Sequence, residues 1–346
     1  MKRHAVIAAV LLLSAALFAA CRSSVAIETQ PDTTTTQENL ITVGFSQLGA
    51  ESDWRSANTD SIIGALSEDN GFNLIYKNGQ QKQSNQITAI RMFIQQEVDY
   101  IVLAPSTETG WDFVLEEARD AGIPIILVDR RVDADKNLYS CWVGSDFELE
   151  GQKMAAWIND YTSLKGIAPE DIHIVNIQGS IGSTAQLGRT RGLSNAVREY
   201  GWDLLDEVCG DFTETKGGEV MALLLRKYDN INVVYCENDN EAIGAISAIE
   251  AAGKKVGSDI ENGEIMVVSF DGINEKALEY ARLGKISCIA ECNPHQGPLV
   301  MDLIESIEKG DSPTKFNYVS ETLYSSITDI STIEIDGIEY QVTPLS

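Results

Sequence analysis

From residue 41 onward, short apolar runs alternate with stretches whose apolar residues recur at helical spacing. Strands are expected at residues 41–45, 72–76, 100–105 and 123–128, with helices over 54–69, 83–96 and 111–121 between them. Ile62, Ile63 and Leu66 share one face of the first helix, and Ile87, Ile90, Phe93 and Ile94 one face of the second. Pro105 stops the third strand and Gly122 closes the third helix. The cycle then restarts. Helices are expected at 148–164, 184–200, 213–228, 241–252, 275–283 and 295–309, and strands at 172–177, 202–208, 233–236, 265–270 and 286–290. Strands that are apolar without a break, interleaved with helices, belong to parallel sheets covered on both faces. The pattern therefore predicts an α/β protein of two doubly wound parallel-sheet lobes, with ligand at the carboxyl ends of the strands.

Composition narrows the function classes. Of 346 residues, 52 are acidic and 26 basic, a formal charge of −26. A phosphate backbone is repelled by such a surface, so no nucleic-acid partner is expected. A 44% apolar content argues against disorder. The one long apolar run lies in the first 20 residues, which excludes a polytopic membrane protein.

That run has the layout of a secretory signal: Met1-Lys2-Arg3-His4, an apolar stretch over 5–20, then Cys21 after Ala19-Ala20. It resembles a lipoprotein signal, in which the cysteine is lipidated and becomes the mature N-terminus. Phe18 stands where Leu is usual, and an ordinary cleaved signal is the alternative. Losing Lys2 and Arg3 with residues 1–20 takes the formal charge to −28. Residues 21–39, with Thr33-Thr34-Thr35-Thr36, read as a flexible tether. The remaining Cys141, Cys209, Cys236, Cys288 and Cys292 show no metal spacing and are expected as buried thiols with at most one disulfide.

Polar groups crowd the predicted strand ends. They are Ser46-Gln47 with Glu51, Trp54 and Arg55; Asp129-Arg130; Gln178-Gly179-Ser180 leading to Arg189; Asn238-Asp239; Asp271-Gly272; and Glu291. Carboxylates accept, guanidiniums donate in a planar fork, and sugar hydroxyls do both. Trp54 and Phe212 could stack on the apolar face of a sugar ring. Each residue also has an ordinary explanation. Asp129-Arg130 could be a local ion pair, Asn238 a helix N-cap, Trp54 a core residue, and Trp111 a helix staple.

On these residues the chain resembles the periplasmic sugar-binding proteins that feed ABC transporters. The likeness is to the ribose-binding type and, within it, most to the galactofuranose type. The resemblance is carried by residues 43–47 and 51–55, Gly79-Gln80-Gln81-Lys82-Gln83 with Asn85-Gln86, Ala104-Pro105 with Thr109-Gly110-Trp111, and Asp129-Arg130. Residues 210–213 with Lys216-Gly217, Asn238-Asp239 with Ile243-Gly244-Ala245, Asp271-Gly272 and Thr322-Leu323-Tyr324 continue it. It implies a periplasmic binding protein of type I, with a three-crossover hinge between lobes of 40–145 plus 292–318 and 146–291 plus 319–346. It implies ligand contacts from Gln47, Glu51, Trp54, Arg55, Asp129, Arg130, Arg189, Phe212, Asn238, Asp271 and Glu291. Glu291 stands where ribose binders carry a glutamine. Residues 325–346 match nothing in the pattern.

The expected function is capture of a monosaccharide, a furanose such as galactofuranose or an arabinose- or ribose-like sugar, and delivery to an ABC permease. The protein would be a monomer outside the cytoplasm, held to the outer face of a Gram-positive membrane or in a periplasm by its lipid alone, with no cofactor or metal. The alternative is a module presenting the sugar to a chemoreceptor or a histidine-kinase ectodomain. An enzyme is disfavoured, because Gly-x-Gly-x-x-Gly after the first strand, a phosphate-binding Gly-Lys-Ser/Thr loop and a Gly-x-Ser-x-Gly elbow are missing. His4, His173 and His295 are the only histidines, and a repressor would need a helix-turn-helix where the signal stands.

Overall fold

The computed structural model describes residues 40–345. The leader, Cys21 and the tether lie outside the described residues. The first half runs β1 (Ile41–Gln47), α1 (Asp53–Ala65), β2 (Phe72–Asn78), α2 (Gln83–Gln95), β3 (Tyr100–Leu103), α3 (Asp112–Asp120), β4 (Ile125–Val128) and β5 (Cys141–Gly144). The second continues α4 (Phe147–Leu164), β6 (His173–Gln178), α5 (Thr184–Ala196), β7 (Asp203–Cys209), α6 (Glu214–Lys227), β8 (Val233–Cys236), α7 (Asp239–Ala251), β9 (Lys255–Val256), β10 (Glu264–Asp271), α8 (Glu275–Arg282) and β11 (Cys288–Glu291). Then follow α9 (Gly297–Glu308), β12 (Phe316–Tyr318), β13 (Leu323–Ser325), β14 (Thr332–Ile335) and β15 (Ile338–Pro344).

Two sheets result. One has the order β12-β5-β4-β3-β1-β2, and the other β14-β15-β13-β11-β10-β8-β6-β7 with β9 beside β10. Pairing is parallel throughout the first sheet and along β7-β6-β8-β10-β11. Alternate residues of each strand feed opposite cores. Ile101 and Leu103 pack with Phe93 and Trp111, while Val102 packs with Val43, Phe45 and Ile304. In the second sheet Met266, Val268 and Phe270 join Trp157 and Tyr235, while Val267 joins Ile243 and Ile246. This two-sided burial explains why the strands read as unbroken apolar runs. Gly44 lets α2 come close, since a Cβ there would lie 2.4 Å from the Phe93 ring.

Three crossovers join the sheets within the described residues. The chain passes from β5 to α4 at Ser145-Asp146, from β11 back to α9 at residues 292–296, and from β12 to β13 at residues 319–322. Leu303 and Ile304 of α9 pack in the same cluster as Ile62 of α1, on the first sheet. Among the described residues, no helix is long and apolar enough to cross a membrane. Cys141, Cys209, Cys236, Cys288 and Cys292 are all free, and burial pushes the Cys141 thiol up to about 11.

Several elements go beyond the sequence pattern. β5 is an additional strand, with only four residues to signal it. The expected helix at 184–200 gives up its α form after Ala196 and closes in a π turn over Val197–Gly201. The tail forms structure of its own: β15 pairs parallel to β13, and β14 folds back on it antiparallel. Asp336 and Gly337 both have positive φ, 52° and 79°, the geometry of a type I′ hairpin turn. Ile333 and Val342 enter the core beside Met154 and Trp157 of α4.

The hairpin is therefore a packed part of the second sheet's outer layer. Ile333→Ala should lower unfolding stability by about 2–5 kcal/mol, read from urea denaturation. A midpoint unchanged from wild type would mean that the tail contributes nothing to the core.

Candidate functional site

The carboxyl ends of both sheets point at each other across a small, nearly filled cavity. On the first sheet's side, Ser52 caps α1 through its hydroxyl, which accepts from the Arg55 amide. The cap places Glu51, Trp54 and Arg55 at the cavity. Asp129 and Arg130 follow β4 and face them.

These residues form one buried network. The Arg55 guanidinium donates to Glu51 at 3.0 Å and to Asp129 at 2.5 Å, and Arg130 lies 3.4 Å from Glu51 and 3.9 Å from Asp129. Burial alone would raise the Glu51 carboxyl, but Arg55 and Arg130 outweigh it and hold it below its ordinary value. Burial and the neighbouring Arg55 lower Arg130. Two cations meet two anions, yet Glu51 Oε2, Arg55 Nη1 and Arg130 Nε have no hydrogen-bond partner although buried. Unpaired buried groups of this kind are costly unless something fills them.

The second sheet's side is built around Arg189 of α5. It donates to Glu150 at 2.8 Å, to Asp271 at 3.2 Å and to the Glu237 carbonyl. Burial, opposed by Arg189, pushes the Asp271 carboxyl up to about 7. Asn238 caps α7 by accepting from the Glu241 amide at 2.8 Å, and its amide group donates to the Phe212 carbonyl. It is thus both the N-cap and a lining residue. Phe212, Phe147 and Trp54 supply aromatic surface from both sides. Asp129, Phe212 and Asp271 sit at positive φ, 62°, 59° and 89°. Left-handed backbone at non-glycine residues is strain of the kind stored at functional sites. Gly179 makes room for it, since a Cβ there would fall 1.9 Å from the Phe212 ring.

Nine of the eleven sequence-predicted residues line this cavity: Glu51, Trp54, Arg55, Asp129, Arg130, Arg189, Phe212, Asn238 and Asp271. The structure does not bring Gln47 and Glu291 to it. Gln47 is spent inside the first lobe, its amide on Asn58 and Thr59. Glu291 turns toward the third crossover and accepts from the Thr322 amide at 2.8 Å. The residue after it, Cys292, faces the cavity instead. Ser52, Phe147, Ala185 and Cys292 are lining residues that sequence reasoning missed. The signal for Phe147 was its place beside the helix-capping Asp146. No such signal marks Cys292.

The two sides are closed on each other. Arg131 N donates to Thr184 Oγ1 at 3.2 Å, and Asn240 and Asn274 both donate to Asp53; Trp54 Nε1 donates to the carbonyl of Cys292, on the second crossover, at 2.5 Å. No histidine lines the cavity, and burial pushes the Cys292 thiol well up, away from the reactive thiolate. Balanced donors and acceptors beside aromatic rings suit a small, neutral, hydroxyl-rich molecule.

Comparisons with known proteins agree with this geometry. The family described as periplasmic binding protein domain matches residues 43–312. The chain is 38% identical to the galactofuranose-binding protein YtfQ of Escherichia coli, over 82% of this chain and 87% of that one. Among solved structures it is similar to a Mycobacterium smegmatis protein in complex with β-D-fucofuranose. The TM-score there is 0.77 at 38% identity, over 82% of this chain and 91% of that one. It is also similar to the arabinose ABC transporter's binding component from Shewanella, bound to α- and β-L-arabinofuranose. There the TM-score is 0.76 at 35% identity, over 82% and 91% of the two chains.

Arg55 makes the shorter bond to each of the two first-lobe carboxylates. Arg55→Ala should therefore cost about 3–5 kcal/mol, the usual penalty for breaking a buried pair. Arg91→Ala, which removes an exposed pair with Glu117, should leave chemical denaturation nearly unchanged. Equal effects of the two would refute the buried network.

Proposed function

The chain belongs to the periplasmic binding protein family, and from that premise we propose that it captures a monosaccharide in its furanose form and hands it to an ABC permease. One observation carries the reading. Glu51, Arg55 and Arg130, each with a buried polar atom that has no hydrogen-bond partner, line a cavity framed by Trp54, Phe147 and Phe212. A furanose offers hydroxyls that both donate and accept, and a ring whose C–H face stacks on an aromatic. The small volume favours one sugar unit. Its carboxylates can only accept, so each selects a hydroxyl by position.

The relatives supply the sugar class. Their named ligands are galactofuranose, fucofuranose and arabinofuranose, and a galactofuranose-like sugar is the reading we favour here. Capture proceeds by closure of the two lobes about the three crossovers, as in other hinge-closing binders. The contacts of Asp53 with Asn240 and Asn274 and of Arg131 with Thr184 are its latches. Binding needs no bond made or broken in the sugar. Lipid on Cys21 would hold the protein beside its permease, outside the cytoplasm.

A thermal-shift panel with galactose, arabinose, ribose, fucose, glucose and methyl β-galactofuranoside tests the ligand. A ligand of the folded state alone raises stability by RT ln(1 + [L]/Kd). The galactofuranoside should shift the melt more than free galactose, whose furanose form is a minor species. Trp54→Ala should remove most of that shift. No shift with any sugar would sink the proposal. For the anchor, Cys21→Ser should move the protein from the membrane fraction to the soluble one, and unchanged membrane partition would rule the lipid out.

A further inference from the structure

Behind the cavity the three crossovers meet on one side chain. Glu321, on the third, accepts from the Ser145 hydroxyl of the first and from the Asn293 amide of the second, the latter at 3.0 Å. Ser145 Oγ also lies 3.3 Å from Cys292 Sγ. A carboxylate oxygen of Glu150, one of Glu321 and the Cys292 Sγ all fall within 4.8 Å of one another. Glu150 is 1% exposed, and its Oε2 is taken by Arg189 while its Oε1 has no partner. The cations in range are few. Arg189 is already shared between Glu150 and Asp271, and the Lys153 ammonium sits over the Tyr340 ring at 4.8 Å.

Two buried carboxylates this close do not both stay ionised. We propose that the closed hinge holds one proton between Glu150 and Glu321, taken up as the lobes close on the sugar, and that Glu321 is thereby the positioning residue that sets capture against pH. The inference rests on the sugar-binding reading above. A proton on the Glu321 carboxyl leaves Oε1 free to accept from Ser145 and Asn293 and removes the like-charge repulsion with Glu150. Cys292 contributes a neutral thiol, and Asp271 reaches the cluster through Arg189.

The sign follows from the burial. In the closed form burial, opposed by Ser145 and Asn293, pushes the Glu321 carboxyl up to about 7. Opening the cleft admits water beside Cys292 and returns the carboxyl toward its ordinary value. A group whose pKa rises on closure favours the closed form at low pH, and that advantage is lost as pH rises to the raised value. Sugar affinity should therefore be greatest near pH 5 and weaken by up to about tenfold per pH unit, levelling off above about pH 8.

Isothermal titration with methyl β-galactofuranoside tests this from pH 5 to 8, in pairs of buffers that differ in ionisation enthalpy. Wild type should take up as much as one proton per sugar near pH 6. Glu321→Gln keeps the acceptor for Ser145 and Asn293 and carries no charge. It should bind with the wild-type acid-limit affinity at every pH, with no buffer dependence. A flat wild-type profile overturns the inference without touching the sugar reading, whereas no binding at any pH overturns the sugar reading first. If Glu321→Gln keeps the wild-type slope and Asp271→Asn loses it, the proton belongs to the cavity and the hinge assignment falls. Should Glu321→Gln fail to fold, the wild-type buffer dependence still decides whether a proton is taken up, and Ser145→Ala, which moves the Glu321 carboxyl, should shift the profile.

Discussion

A guanidinium taken out of water at the head of each sheet sets the terms for everything around it. Desolvating such an ion costs several kcal/mol even after the surroundings relax, so each must be met by acceptors held in fixed places. Arg189 draws its acceptors from α4, from the turn after β8 and from the end of β10. Those elements are far apart in sequence, and one planar fork holds them in register. Arg55 does the same for the first lobe, joining the loop before α1 to the end of β4. The carboxyl ends of the strands are thus pinned by charge, while the strands themselves are pinned by apolar burial.

A site held this rigidly keeps its unfilled positions unfilled. Glu51 Oε2, Arg55 Nη1 and Arg130 Nε cannot turn to other partners, because their side chains are fixed by the bonds already made. The left-handed backbone at Asp129, Phe212 and Asp271 is maintained by the same packing. In the proposed sugar complex, a hydroxyl that reached these atoms would recover a cost that folding leaves standing.

Much of this was legible in the sequence, for identifiable reasons. Strands buried on both faces announce themselves as apolar runs, and their carboxyl ends bring Asp129-Arg130, Asn238 and Asp271 to one place by topology alone. The misses have equally local causes. Gln47 lies on β1 itself, and its amide turns to α1 rather than to the cavity. Glu291 ends β11 and accepts from the Thr322 amide, while Cys292 opens the crossover that borders the cavity. The tail hairpin lacks an apolar run because only Ile333 and Val342 of its strands are fully buried. Its Asp336-Gly337 pair nevertheless carries the chemistry of a tight hairpin turn.

The two halves of the cavity differ in how they balance charge. In the first, two guanidiniums answer two carboxylates, and Glu51 is held below its ordinary value. In the second, Arg189 stands against Glu150, Glu237, Asp239, Glu241 and Asp271, all buried and all pushed up by that burial. Hydrogen bonds from Gly179, Ser269, Ile273 and Phe212 offset part of the penalty for Glu237, Asp239 and Glu241. They do not remove it, so burial holds these carboxyls above their ordinary values. The carboxyls that burial pushes up thus lie in the second half and at the hinge it shares with the first, where Glu150 and Glu321 come together.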